Sequence, residues 1–257
     1  MTQEERLDYL IRALLAEREE YKDIALPDGP AEKRRLLRAL VNVRPPEPLD
    51  RSFYQVQDAY LQEELRRKGV TRLSDLEPVR PGLYLWQGDI TTLAVDAIVN
   101  AANSAMLGCF VPCHGCIDNA IHTAAGFQLR RECARMMALR PGGEPPGRAE
   151  ITNAYNLPCR YVLHTVGPIV HGAVTDGDRA LLASCYRSCL ELAAAHGCRS
   201  VAFCCISTGE FHFPHEEAAR IAVQTVEDYQ ARRPDTIEVI FNVFKDIDKQ
   251  IYQRLLG

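Results

Sequence analysis

The chain has 257 residues, enough to bury one sizeable core, and its 47% hydrophobic and 25% charged residues are typical of a globular protein. A formal net charge of -4 provides no broad cationic field, so we expect no nucleic-acid partner. No stretch reaches the roughly eighteen apolar residues of a membrane span, and the acidic N-terminal segment does not resemble a signal peptide. We therefore expect a cytoplasmic protein with no membrane partner. We also expect it to be a monomer.

The first part of the chain predicts a helical extension. Apolar residues recur at three-four spacing over residues 4–22, and an Asp-Gly-Pro turn then places Pro30 where a second helix can begin. A third periodic stretch follows PPEP and ends at Gly69. We predict an N-terminal helical extension over residues 1–78 and a second domain over residues 79–257.

After Pro78, short apolar runs alternate with helical patterns, which predicts an α/β domain with a largely parallel central sheet. Ligands bind such sheets beyond the carboxyl ends of the strands, so the loops at that edge should carry the functional residues. The predicted strands are 83–90, 96–103, 150–157, 161–168, 200–207 and 236–244, and the predicted helices are 117–139, 178–196, 215–232 and one that begins near 246.

Five short motifs follow one another in this second domain. They are GDIT at 88–91, DAIVNAANS at 96–104, DNAIHTAAG at 118–126, HTVGP at 164–168 and STGEF at 207–211. In this order and at these separations the sequence resembles the macrodomain family, over roughly residues 83–244. The resemblance implies a three-layer α/β/α macrodomain fold with a mixed, largely parallel central sheet, and a pocket for ADP-ribose.

The resemblance also assigns residues to that pocket. It implies that Asp89 accepts from the adenine amino group, while Asn103 holds the distal ribose and is a catalytic candidate together with Asp118. Small residues in STGEF leave backbone N–H groups free for a diphosphate, although such a turn is also a common plain connection. Asp89 and Asn103 have an alternative role in stabilising turns, and Phe211 in the core. The expected ADP-ribose-binding set is Asp89, Ile90, Asn103, Cys116, Ile117, Asp118, Ser207, Thr208, Gly209, Glu210 and Phe211.

The loop GCFVPCHGC at 108–116 departs from the short glycine-rich link of the common macrodomain pattern. Cys109, His114 and Cys116 offer two thiolates and one imidazole, a set that favours one Zn²⁺ ion with an open fourth position. This arrangement is similar to the zinc-dependent macrodomain class, which hydrolyses ADP-ribose from modified proteins. Ligation by Cys113 would instead close the site, and a loop of buried thiols without metal is the remaining alternative.

Asp118 stands two residues beyond Cys116, where a helix is predicted to begin. Departure of a group from the distal ribose has an oxocarbenium-like transition state, so a nearby carboxylate can stabilise positive charge or take a proton from water. We predict that Asp118 has this role, with a favourable interaction with the helix dipole as the alternative. We expect His122 and His164, in a helix and a strand, to be core residues rather than ligands.

Together the pocket and the loop at 108–116 predict a zinc-dependent hydrolase that removes ADP-ribose from mono-ADP-ribosylated protein side chains. Two alternatives use the same pocket, a reader module that binds ADP-ribose without turnover and a deacetylase of O-acetyl-ADP-ribose. The zinc-containing proteins that the chain resembles are microbial enzymes that reverse sirtuin-type ADP-ribosylation of a lipoyl-carrier protein, which makes such a carrier the expected partner. For the N-terminal helices the sequence leaves two roles open, packing beside the second domain or gating access of the acceptor, and does not choose between them.

Overall fold

The N-terminal helices form a three-helix unit with a core of its own. The computed structural model describes residues 1–233 and 237–257. Helix α1 spans Gln3–Leu15, α2 spans Pro30–Val43 and α3 spans Arg51–Lys68. Apolar side chains of all three helices meet in one cluster, which Phe127 from the second part of the chain joins. The unit therefore packs directly against the rest of the molecule.

The prediction of a first helix over 4–22 is wrong in length. Helix α1 ends at Leu15, and only a short 3₁₀ turn follows at Glu19–Tyr21. The sequence has no large apolar residue between Leu15 and Tyr21. Because a surface helix owes most of its stability to its buried apolar face, the helix ends where that face ends.

A mixed seven-stranded sheet forms the centre of the described part of the chain. Its order is β2-β3-β9-β8-β5-β7-β6, with five parallel strands in the middle and the antiparallel strands β2 and β6 at the edges. This confirms the predicted largely parallel sheet. Thr236, with which the predicted last strand begins, lies outside the described residues. The strands are β1 (Thr71–Arg72), β2 (Pro78–Arg80), β3 (Leu83–Gln87), β4 (Leu93–Ala94), β5 (Ala97–Ala101), β6 (Ala149–Asn153), β7 (Tyr161–Thr165), β8 (Ser200–Phe203) and β9 (Glu238–Val243).

Helices flank this sheet, and one of them differs from its prediction. The single helix predicted over 117–139 is wrong, because the chain breaks at Gly126, whose φ is 90°. A Cβ at this position would lie 2.6 Å from Nε2 of Gln57, so glycine also permits the close approach of α3. The apolar periodicity continues through the break and gives no sign of it. The helices are α4 (Ile117–Ala125), α5 (Phe127–Met137), α6 (Asp176–Ala195), α7 (His215–Arg232) and α8 (Asp246–Leu256).

A second, two-stranded sheet joins the two parts of the chain. Strand β1 pairs in parallel with β4, so hydrogen bonds cross the boundary predicted at residue 78. The division into two domains stays a prediction. Among the described residues, no helix combines the length and the apolar character that a bilayer span requires.

Candidate active site

A cavity of about 980 Å³ lies where the parallel strands end. Loops after β3, β5 and β8 form one side, together with residues 108–116, which we call the metal loop, and helices α2 and α3 form the other. The volume is that of a ligand-binding pocket. Every residue predicted for ADP-ribose or metal contributes to the wall, namely Asp89, Ile90, Asn103, Cys109, His114, Cys116, Ile117, Asp118, Ser207, Thr208, Gly209, Glu210 and Phe211.

Asp89 follows β3 at one end of the cavity and caps a short 3₁₀ turn. Its Oδ1 accepts from the backbone N–H and the hydroxyl of Thr91, at 3.0 and 2.6 Å, and Oδ2 accepts from Nζ of Lys68 at 2.9 Å. Burial raises the pKa of Asp89, but the bonds from Thr91 and Lys68 outweigh it and hold the pKa below its usual value. The side chain is therefore an ionised acceptor, as recognition of an amino group requires.

The loop after β8 has the properties of an anion-binding turn. Ser207 has a φ of 64°, and its buried hydroxyl has no hydrogen-bond partner within the described residues. A Cβ at Gly167 would lie 2.0 Å from that hydroxyl, so only glycine fits beside it. In the described part of the chain, the backbone N–H groups of Gly209 and Glu210 donate to no other backbone group. The loop thus presents several free donors to the cavity.

Asn103 and Phe211 both have the structural role that the sequence left open for them, and both also line the cavity. The amide of Asn103 accepts from the backbone N–H of Ala105 at 3.0 Å, which stabilises a turn, and donates to Oδ2 of Asp118 at 3.3 Å. Phe211 lines the cavity and also packs with Met106 and Val166 in a small apolar cluster. The contacts that hold these two side chains in the fold therefore also keep them at the cavity wall.

The metal loop brings its predicted ligands together. The ligand atoms of Cys109, His114 and Cys116 all lie within 4.8 Å of one another, and Sγ of Cys109 is 3.6 Å from Nδ1 of His114. On the other side of the imidazole, Nε2 is 3.6 Å from Oε1 of Glu210. A carboxylate in this position orients a ligating histidine in many metal sites. Two thiols, one imidazole and an acidic neighbour fit the donor preference of zinc.

Cys116 caps the N-terminus of α4, where its Sγ accepts from the backbone N–H of Asn119 at 3.4 Å. Burial raises the pKa of Cys116 to about 12, more than the bond from Asn119 lowers it. Only a thiolate binds zinc, so a cation bound here displaces this proton.

Cys113 stays apart from the other two cysteines of the loop. Its Sγ donates to the carbonyl of Arg35 at 3.4 Å, and its backbone N–H donates to Oδ1 of Asn42 at 2.8 Å. Both partners belong to α2. The geometry favours the three-ligand arrangement over the closed four-ligand one.

Asp118 lies in the first turn of α4 with only 4% of its surface exposed. Its Oδ1 accepts from the amide of Asn100 at 2.8 Å, its Oδ2 faces Asn103, and Nε2 of His122 lies 3.5 Å from Oδ1. Burial raises its pKa to about 6, although the bond from Asn100 and the charge of Arg130 lower it. A carboxyl group that titrates close to neutrality can hold or accept a proton during a reaction.

The two histidines expected in the core are indeed buried, and neither lines the cavity. Nδ1 of His164 lies 3.2 Å from the amide of Asn100 and its Nε2 lies 2.9 Å from the hydroxyl of Thr152. Burial lowers the pKa of His164 to about 3. The amide of Asn100 therefore bridges a neutral histidine and Asp118.

The N-terminal helices contribute cationic side chains to this cavity that the sequence did not reveal. Lys68 at the end of α3 contacts Asp89, and Arg38 on α2 contacts Asn119 and the metal loop. Each is one cation among several on an amphipathic helix, and no motif distinguishes it. These contacts join residues that are far apart in the chain.

Known proteins resemble this chain along nearly its whole length. It is 54% identical to the protein-ADP-ribose hydrolase of Treponema medium, over 100% of both chains. It is 49% identical to the protein-ADP-ribose hydrolase of Staphylococcus aureus strain MSSA476, over 96% of this chain and 94% of that one. Residues 99–222 match the Macro domain family. The chain belongs to this family.

The solved structures agree with the macrodomain assignment. The Trypanosoma brucei macrodomain in complex with ADP-ribose superposes with a TM-score of 0.67 at 31% identity, over 90% of this chain and 97% of that one. The family match begins at residue 99, so it does not include α1 to α3. Those helices nevertheless form one wall of the macrodomain cavity.

Proposed function

We propose that this macrodomain is a zinc-dependent hydrolase that releases ADP-ribose from mono-ADP-ribosylated protein side chains. The observation that carries the proposal is the meeting of Cys109, His114 and Cys116 on the wall that also bears Asp118. A reader of ADP-ribose has no need for an open metal site beside a buried carboxylate. The curated relatives named protein-ADP-ribose hydrolases support the same activity.

Different residues of the cavity bind different parts of the substrate. Asp89 and the backbone of Ile90 bind the adenine, and the free donors of the loop at 207–211 bind the diphosphate. Phe211 and Asn103 fix the distal ribose, so its anomeric carbon lies near Asp118. A substrate held at both ends in this way reacts as an oriented, effectively unimolecular complex.

In the reaction, water adds to the anomeric carbon as the bond to the protein side chain breaks. The side-chain atom departs with the electron pair of the broken bond. The carboxylate of Asp118 stabilises the positive charge that develops on the ribose, takes a proton from the water and returns it to the departing atom. Asn100 and Asn103 hold this carboxylate by their amide groups. Cys109, His114 and Cys116 would hold a zinc ion, which would supply Lewis-acid chemistry to the site.

The acceptor that we propose is a lipoyl-carrier protein modified by a sirtuin-type transferase. We propose that the reaction takes place in the cytoplasm. This choice is supported by the resemblance to zinc-dependent macrodomains. A comparison of release from a modified lipoyl carrier and from an unrelated mono-ADP-ribosylated protein tests it. Equal release from both would remove the preference.

The experiment compares Cys116→Ala with the matched variant Cys113→Ala in the same loop. We expect Cys116→Ala to lose stoichiometric zinc, measured by elemental analysis, and to lose release of ADP-ribose from a mono-ADP-ribosylated protein. Cys113→Ala should retain both, because its thiol donates to the carbonyl of Arg35 and lies outside the group formed by Cys109, His114 and Cys116. Full turnover by zinc-free protein would contradict the proposal, and binding of ADP-ribose without release by the zinc-loaded protein would make the chain a reader.

A further inference from the structure

Helix α2 contacts the metal loop through two polar side chains on one face, Arg38 and Asn42. They are four residues apart, so they stand one above the other on the helix surface. Nη2 of Arg38 donates to the carbonyl of His114 at 2.9 Å, and Oδ1 of Asn42 accepts from the backbone N–H of Cys113 at 2.8 Å. Two neighbouring residues of the loop are thus bound to the N-terminal unit by their backbone.

Arg38 also acts through Asn119, which is fully buried. The guanidinium donates to Oδ1 of Asn119 with Nε at 3.2 Å and Nη2 at 2.8 Å. This bond sets the orientation of the amide, whose Nδ2 then donates to the carbonyl of Val111 at 3.1 Å. The backbone N–H of the same asparagine donates to Sγ of Cys116. One arginine therefore constrains the loop at its middle and near its last ligand.

Asn42 has no exposed surface and uses both ends of its amide. While Oδ1 accepts from Cys113, Nδ2 donates to the hydroxyl of Thr123 on α4 at 3.0 Å. Cys113 has a φ of 55°, a conformation that costs free energy in residues other than glycine. The bond from its N–H to Asn42 offsets part of that cost.

We propose that α2 is a positioning element of the metal site, in which Arg38 and Asn42 hold the metal loop with Cys109, His114 and Cys116 already assembled. The zinc-affinity part of this inference rests on the proposed function, whereas the ordering of the loop does not. It gives the N-terminal helices a role in metal binding although they lie outside the macrodomain match.

The first test follows hydrogen exchange of the metal-free protein. Arg38→Ala is compared with Arg35→Ala, a variant of an exposed arginine on the same helix whose hydrogen bond to the loop is made by its carbonyl oxygen and so survives the substitution. We expect amide exchange in the metal loop to become at least about tenfold faster in Arg38→Ala and to stay unchanged in Arg35→Ala. Equal exchange in both variants would overturn the proposal.

The second test measures zinc affinity by competition with a chromogenic chelator. Loss of an outer contact to a metal site typically weakens binding 10- to 100-fold, so we expect the Kd for zinc to rise about tenfold in Arg38→Ala. Arg38→Lys keeps one cationic donor and should be intermediate, and it replaces the alanine variant if that protein fails to fold. Arg35→Ala should match the unmodified chain.

Calorimetry with ADP-ribose separates positioning from direct substrate contact, because Arg38 also lines the cavity. Positioning predicts that the Kd for ADP-ribose stays within about twofold in Arg38→Ala while that for zinc rises. A loss of ADP-ribose affinity with unchanged zinc affinity would overturn the inference. If the unmodified chain binds no zinc, the metal part of the proposed function fails, and the exchange result still decides whether α2 orders the loop.

Discussion

The buried, neutral His164 predicts a defined dependence of stability on pH. Its Nδ1 lies 3.2 Å from the amide nitrogen of Asn100 and its Nε2 lies 2.9 Å from the hydroxyl of Thr152. The ring is neutral when Nδ1 accepts from the amide and Nε2 donates to the hydroxyl. A second ring proton would point at an N–H donor, and the charged ring would be fully buried, which agrees with a pKa of about 3 in place of 6.5.

The direction of the pH dependence follows from how many protons the folded and the unfolded chain bind. The unfolded chain protonates this histidine as the pH falls through 6.5, but the folded chain does so only near 3, so the contribution to stability is present above 6.5 and is lost on acidification. At a pH of about 5.0, the lost contribution is about 1.5 pH units at 1.36 kcal/mol each, or about 2 kcal/mol.

The assay is urea unfolding of His164→Gln at several pH values between about 5.0 and 7.5. We expect the variant to be less stable at the upper value because it loses buried packing, and its stability to fall by about 2 kcal/mol less than that of the unmodified chain on acidification. His171→Gln, at an exposed loop position, should retain the full slope. Equal slopes for His164→Gln and the unmodified chain would refute the assignment of a neutral His164.

Two further predictions concern the candidate site. Asp118→Asn should slow release of ADP-ribose from a modified protein at least about 100-fold, as loss of a general base does. It should weaken ADP-ribose binding far less. A comparable loss of release rate and of binding affinity would contradict a catalytic role. Asp89→Ala should weaken ADP-ribose binding about tenfold. It should also abolish any preference for ADP-ribose over its hypoxanthine analogue, which lacks the amino group. Titration calorimetry with the two ligands measures both effects. Lys68→Ala should retain that preference, and a preference retained by Asp89→Ala would show that Asp89 does not recognise the adenine.

The sequence predicted the site better than it predicted the connections that support it. Asp89, Asn103 and Ser207 each follow a strand that was recognisable by its apolar run. Because parallel strands end at one edge, their meeting in one cavity followed from the order of the elements alone. The metal loop was recognisable because its three candidate ligands lie within eight positions.

What the sequence did not show depends on contacts between distant segments. At the break at Gly126, Gln57 from α3 accepts from the backbone N–H of Phe127, but the apolar spacing on both sides of the break reads as one helix. Arg38 reaches a partner 81 positions away, and Lys68 one 21 positions away. Such pairings have no local signature, since a cation on a helix face reads as a solvated residue until its partner is known.

The structure supports the two chemical parts of the site from different directions. Asp118 is held from the sheet, through Asn100 on β5 and then His164 on β7. The metal loop is held from the N-terminal unit, through Arg38 and Asn42. The sheet is a rigid, buried element, whereas loops are ordinarily the least ordered part of a fold. The carboxylate therefore needs only a short bridge to a strand. The candidate ligands lie on a nine-residue loop and need contacts from another element, which the helical unit on the other side of the cavity supplies.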